Sequence, residues 1–195
     1  MHLIYLHGFL SNSHSIKGGQ LRDYCKRYVP QIQVHTPDLN CPPQHVIKQL
    51  DNLIQGLDRV ALVGSSLGGF YATYLVAKYN VPAVLINPAM QPWLLFQQRF
   101  QAAKLPLLIH PNWSIDQAQL DDLRTLALPT VQHANKILLL LQQGDEVLDY
   151  RNAQRYYTQA AHGALQMLDA GGNHAMDDFI EKIPMLLQFL SDCID

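Results

Sequence analysis

The chain has 195 residues, of which 48% are hydrophobic and 15% are charged, and its formal net charge at pH 7 is −2. This length predicts one domain over residues 1–195, with a core that needs neither disulfides nor a metal, and the composition excludes a disordered chain. The nearly balanced charge disfavours binding to nucleic acid, which calls for a basic face.

Compartment and cofactor predictions follow from the same composition. The three cysteines include no C-x-x-C pair, so neither a disulfide framework nor a zinc site is expected, and no metal or cofactor is predicted. The first eight residues lack the features of a signal peptide, and no window approaches ~18 consecutive apolar residues. The sequence therefore predicts a soluble, cytoplasmic protein without a membrane span.

Short apolar runs alternate with longer amphipathic segments. Runs that are apolar throughout predict strands buried on both faces, as in a mostly parallel sheet with helices on both sides. The predicted strands are Leu3–Leu6, Ile32–His35, Arg59–Val63, Ala83–Ile86, Lys136–Leu141 and Leu165–Leu168. The predicted helices are about Leu21–Tyr28, Pro43–Gln55, Ser66–Tyr79, Tyr150–Ala161 and Met176–Cys193, the last with a kink or break at Pro184. This order predicts an α/β fold with ligand sites at the carboxyl ends of the strands.

The first strand runs into His7-Gly8-Phe9. Because Gly8 has no Cβ, the backbone of this turn can approach a neighbouring element closely. We expect the backbone N–H of Phe9 to point into a site at the sheet edge, and His7 to support the loop rather than to act as a base.

The third predicted strand leads through Gly64-Ser65-Ser66-Leu67-Gly68 into a helix. This G-x-S-x-G sequence in a strand–turn–helix context is typical of a nucleophile elbow, in which glycines leave room for a sharp turn. Ser66 is predicted to be the nucleophile. The N–H groups of Phe9 and Leu67 are predicted to form the oxyanion hole.

A 46-residue segment, 90–135, contains no predicted strand but two helical stretches, Leu94–Ala103 and Gln117–Leu126. Such a long insertion is either a helical lid or an ordinary two-helix crossover, and both interpretations stay open. Leu10, Met90 and Trp93 are predicted to line an apolar substrate pocket, although each could equally be a core residue.

A serine nucleophile needs a base and an acid that orients it. Among nine histidines, His174 follows the last predicted strand in Gly171-Gly172-Asn173-His174, so it is predicted to be the base. Asp145 follows the preceding strand and is predicted to be the acid, since the order Ser–Asp–His is that of the α/β-hydrolases. The neighbouring Glu146 is expected to point elsewhere, and Asp149 to cap the next helix.

These motifs together resemble the α/β-hydrolase superfamily over nearly the whole chain. In particular, the chain is similar to the small bacterial YqiA/YcfP-like esterases through segments at its start, around the elbow and around His174. The segments that carry this resemblance are Ile4–Phe9, Thr36–Leu39, Gly64–Ala72, Ile86–Ala89 and Gly171–His174. The resemblance implies a compact esterase with the triad Ser66, Asp145 and His174. The chain departs from larger members of the superfamily, because its first strand already carries the oxyanion loop, without the usual leading antiparallel strands, and because the insertion is too short for a full cap.

The predicted function is hydrolysis of short to medium acyl carboxylic esters. The partner is then a small-molecule ester or thioester. An acyl-CoA thioesterase could use the same triad, because both reactions pass through an oxyanion. A non-catalytic binding protein on a hydrolase fold is the third interpretation, since a fold alone does not establish an activity.

Overall fold

The computed structural model describes residues 1–99, 105–111, 113–159 and 163–194. Within these ranges the strands are β1 (His2–Leu6), β2 (Gln33–His35), β3 (Val60–Ser65), β4 (Ala83–Ile86), β5 (Leu107–His110), β6 (Trp113–Ile115), β7 (Ile137–Gln142) and β8 (Leu165–Asp169). Six of them form one parallel sheet in the order β2-β1-β3-β4-β7-β8. The predicted parallel sheet is confirmed.

The helices are α1 (Ile16–Tyr28), α2 (Pro43–Gln55), α3 (Leu67–Tyr79), α4 (Pro92–Arg99), α5 (Gln117–Thr125), α6 (Tyr150–Thr158) and α7 (Phe179–Ile194). Successive strand side chains point to opposite faces of the sheet, so each buried strand supplies both halves of the core. Residues of α2, α3, α5 and α6 pack with one face, and residues of α1 and α7 pack with the other. This two-sided covering explains why the strands are apolar throughout.

The insertion differs from its prediction. Segment 90–135 contains α4 and α5, but it also contains an antiparallel hairpin of β5 and β6, so the expectation of no strand is wrong. These strands have only four and three residues, too few to show a period in the sequence. They form because Trp113 and Ile115 bury their side chains in the core. Part of the predicted helix Leu94–Ala103 lies outside the described residues.

The sequence predicts a kink or a break at Pro184, and of these two the break is not found, because the last helix continues from Phe179 to Ile194. The proline removes one backbone hydrogen bond. In compensation, Ile183, Leu186 and Leu190 are fully buried against the sheet, and this burial holds the helix together across the proline. In the part of the chain that the structure describes, no helix is long and apolar enough to cross a membrane.

Candidate active site

Ser66 lies at the sharp turn between β3 and α3. Its backbone has φ 53° and ψ −117°, a conformation that non-glycine residues rarely adopt and that stores strain. The turn brings β3, α3 and β1 into near contact. A Cβ on Gly64 would lie 2.5 Å from the carbonyl oxygen of Gly68, and a Cβ on Gly68 would overlap the carbonyl oxygen of Leu6. The glycines around Ser66 are therefore required by backbone packing.

Ser66, His174 and Asp145 form one hydrogen-bonded chain at the carboxyl edge of the sheet. The Oγ of Ser66 lies 3.0 Å from Nε2 of His174, and Nδ1 of His174 lies 2.8 Å from Oδ2 of Asp145. With its proton on Nδ1, His174 donates to the carboxylate and leaves Nε2 to accept from the serine hydroxyl. This arrangement can remove the proton from Ser66 as its oxygen attacks an electrophile.

The environments of Asp145 and His174 differ. The Asp145 side chain is 1% exposed, and its Oδ1 accepts hydrogen bonds of 2.8 Å from the backbone N–H groups of Val147 and Leu148. The His174 side chain is 21% exposed, so it remains accessible from the adjoining cavity. The Asp145 carboxylate is therefore fixed and shielded, while the His174 imidazole can meet a ligand.

The main chain of His174 is held on both sides. Its N–H donates to Oε2 of Glu146 at 3.0 Å, and its carbonyl oxygen accepts from Nδ2 of Asn87 at 3.3 Å. The bond from the His174 N–H lowers the pKa of the Glu146 carboxyl. The expectation that Glu146 points elsewhere is therefore wrong. Asp149 does cap α6, accepting from the N–H of Arg151, as predicted.

A second support for the His174 loop was missed in the sequence. Gln142, buried at the end of β7, accepts from the N–H of Asn173 at 2.7 Å and donates to Asp178 at 2.7 Å. The backbone N–H of Gln142 donates to Oδ1 of Asn87, and this bond links the ends of β4 and β7. A glutamine that ends an otherwise apolar strand was the one signal of this network.

The turn after β1 lies directly against Ser66. A Cβ on Gly8 would be 3.1 Å from the Cβ of Ser66. Nδ1 of His7 donates to the carbonyl oxygen of Gly8, and its Nε2 accepts from the N–H of Leu39, both at 2.9 Å. Burial lowers the pKa of His7, consistent with a neutral ring that supports this loop. Phe9 directly follows Gly8, and Leu67 directly follows Ser66. The two N–H groups predicted to form the oxyanion hole therefore belong to the two turns that approach each other here.

Two neighbouring cavities carry the predicted pocket residues. The triad cavity, of about 620 Å³, is lined by Ser66 and His174 together with Phe9, Leu10 and Leu67. Met90 and Trp93 instead line a second cavity of about 680 Å³. Among the described residues, no group of three or more histidine, cysteine or acidic side chains is placed to hold a metal ion.

Comparison with known proteins gives a family and a fold. The model of an uncharacterised protein family, UPF0227, matches residues 2–191. A UPF0227 protein of Pectobacterium carotovorum is 30% identical over 156 residues, which cover 78% of this chain and 80% of the relative.

Solved structures with the same fold are more distant in sequence. Alpha/beta hydrolase domain-containing protein 10 from mouse superposes with a TM-score of 0.74 at 16% identity, covering all of this chain and 90% of that one. Est1E from Butyrivibrio proteoclasticus, which has also been solved with ferulic acid bound, superposes with a TM-score of 0.71 at 13% identity. That match covers 99% of this chain and 88% of Est1E. The expected α/β-hydrolase fold is confirmed.

Proposed function

Because the chain belongs to the UPF0227 family and has the α/β-hydrolase fold, we propose that it is a serine esterase acting on short to medium acyl carboxylic esters. The observation that carries this proposal is the hydrogen-bonded chain from Ser66 through His174 to Asp145. In this proposal the three residues are nucleophile, general base and orienting acid.

In the proposed reaction, Oγ of Ser66 attacks the acyl carbon while Nε2 of His174 takes the serine proton. The oxyanion that forms is held by the N–H groups of Phe9 and Leu67, and the amino terminus of α3 adds a favourable dipole. His174 then donates its proton to the alcohol as the C–O bond breaks. Water, activated by the same imidazole, releases the acid and restores the Ser66 hydroxyl.

Acyl-CoA thioesters are the second candidate substrate class, because the same three residues could hydrolyse them through the same kind of oxyanion. The proposal of an oxygen esterase is the one tested. We expect kcat/KM to be higher for a p-nitrophenyl ester than for the acyl-CoA with the same acyl chain. A preference for the acyl-CoA would identify a thioesterase that uses the same three residues.

The proposal is tested by labelling with a fluorophosphonate, which reacts with activated serines. We expect one covalent adduct, located at Ser66 by peptide mass spectrometry. The Ser66→Ala variant should not react, whereas Ser65→Ala, which removes the neighbouring hydroxyl, should react as the wild type does. Folded protein that carries no label at Ser66 would indicate a non-catalytic binding protein.

Glu146 is a positioning residue in this mechanism because it holds the His174 main chain. Because this hydrogen bond orients the backbone that carries the imidazole, we expect Glu146→Ala to lower kcat by a few-fold, with little change in KM. Glu146→Gln keeps an acceptor oxygen and should restore most of the rate. Steady-state kinetics on a neutral ester compare the two variants, and equal losses in both would exclude the positioning role.

A further inference from the structure

The triad cavity and the second cavity share a wall. Five residues line both of them: Ala89, Leu95, Gln98, Val147 and Leu148. Each cavity alone has the volume of a typical small-molecule site, which is about 300–1,000 Å³. The two cavities therefore adjoin each other along these five residues.

The shared wall is hydrogen-bonded to the triad itself. The N–H of Ala89 donates to the carbonyl oxygen of Ser66 at 3.0 Å. The N–H of Leu148 donates to Oδ1 of Asp145 at 2.8 Å. Two residues that line the second cavity are thus hydrogen-bonded directly to the proposed nucleophile and the proposed acid.

The second cavity combines aromatic surface with polar groups. Phe70, Tyr74, Trp93 and Tyr156 contribute rings to its lining. Aromatic side chains of this kind bind other rings in stacked or edge-to-face arrangements. These residues come from α3, α4 and α6, so the aromatic lining is spread over three elements of the fold.

The polar side chains that line the second cavity determine which substituents a bound ring can carry. Gln91 and Asn152 supply amide donors and acceptors, which suit a hydroxyl group. Asp149 adds a carboxylate that is already bonded to Arg151, and the lining residues described include no lysine or arginine that could pair with a carboxylate or phosphate on a ligand. An uncharged ring that bears a hydroxyl group fits this lining.

We propose that the second cavity is the specificity site of the enzyme and binds an uncharged, hydroxylated ring carried by the ester on one side of the scissile carbonyl. This inference rests on the proposed esterase function. The rest of the ester occupies the triad cavity beside His174. In this arrangement Met90 and Trp93 contribute to substrate specificity by contacting the ring in the second cavity, and they do not contact the part of the ester beside Ser66.

The test fills the second cavity without touching the triad. Asn152 lies on the exposed side of α6 and lines the second cavity, so Asn152→Trp places an indole there. Thr158→Trp is the matched control, because Thr158 is exposed on the same helix and lines neither cavity. Both variants should fold, since both positions are exposed.

Two matched ester pairs measure the effect on each side of the carbonyl. The acyl side is tested by p-nitrophenyl 3-(4-hydroxyphenyl)propanoate against p-nitrophenyl acetate, and the alcohol side by 2-(4-hydroxyphenyl)ethyl acetate against ethyl acetate. We expect Asn152→Trp to lower kcat/KM for the ring-bearing ester relative to its small partner by about ten-fold or more in one pair. Thr158→Trp should leave both ratios unchanged.

Calorimetry gives a readout that does not depend on turnover. The neutral ring 2-(4-hydroxyphenyl)ethanol should bind to wild type, Ser66→Ala and Thr158→Trp, but not to Asn152→Trp. Active protein whose ester ratios and ring binding are unaffected by Asn152→Trp would overturn the specificity site alone. Folded protein that binds no ring, hydrolyses no ester and carries no fluorophosphonate label would overturn the esterase function and the site together.

Discussion

Replacing Ser66 by alanine is expected to lower kcat on p-nitrophenyl acetate by about four orders of magnitude or more, as removal of a serine nucleophile does in other hydrolases. The variant loses the only oxygen that lies within hydrogen-bond distance of Nε2 of His174 among the contacts described. The proposed oxyanion donors and the cavity are unchanged by this substitution, so a small residual rate above the uncatalysed reaction should persist. Initial rates at saturating ester measure the loss.

The loss of rate in Ser66→Ala is informative only if the variant is folded as the wild type is. Alanine at this turn would keep the same strained φ of 53°, so circular dichroism and the melting temperature should stay close to wild type. Ser65→Ala serves as the neighbouring control and should retain most of the rate. Near wild-type turnover by folded Ser66→Ala would show that another group is the nucleophile.

Replacing Gly68 by alanine is expected to destabilise the fold by about 3 kcal/mol, at the upper end of the usual range for overpacking. The added Cβ would overlap the carbonyl oxygen of Leu6. That atom cannot move aside easily, because β1 is hydrogen-bonded between β2 and β3. Urea denaturation followed by circular dichroism gives the free energy of unfolding.

Gly19→Ala is the matched control for that substitution. Gly19 lies within α1, and a Cβ there would meet no atom within 4 Å. Because alanine favours a helix over glycine by about 0.8–1.0 kcal/mol, this variant should be as stable as wild type or slightly more so. If Gly68→Ala unfolded at the same urea concentration as Gly19→Ala, the close approach of α3 to β1 would be excluded.

The main sheet could be predicted because its signal is local. Runs such as Ala83–Ile86 are apolar throughout, and the observed β4 has the same bounds. The hairpin of β5 and β6 could not be predicted, because strands of four and three residues depend on burial of Trp113 and Ile115 rather than on a period of their own.

The candidate site also has residues that the sequence predicts and residues that it does not. Ser66, Asp145 and His174 could be chosen because each follows a strand in a short motif, and the structure brings them within hydrogen-bond distance. Glu146 and Asn87 could not be chosen, because they act on the backbone of a residue 28 and 87 positions away. Such contacts depend on how loops meet after folding, which no local pattern encodes.

The loop after β7 has a consequence for how substrate range can diverge among relatives. The carboxylate of Asp145 bonds the N–H groups of Val147 and Leu148, and these two residues also line both cavities. For the proposed esterase, remodelling this wall to accept a new ester would also shift the carboxylate of Asp145. Selection for a new substrate is therefore expected to act on α4, across the cavities, where Trp93 and Leu94 can change without disturbing Asp145.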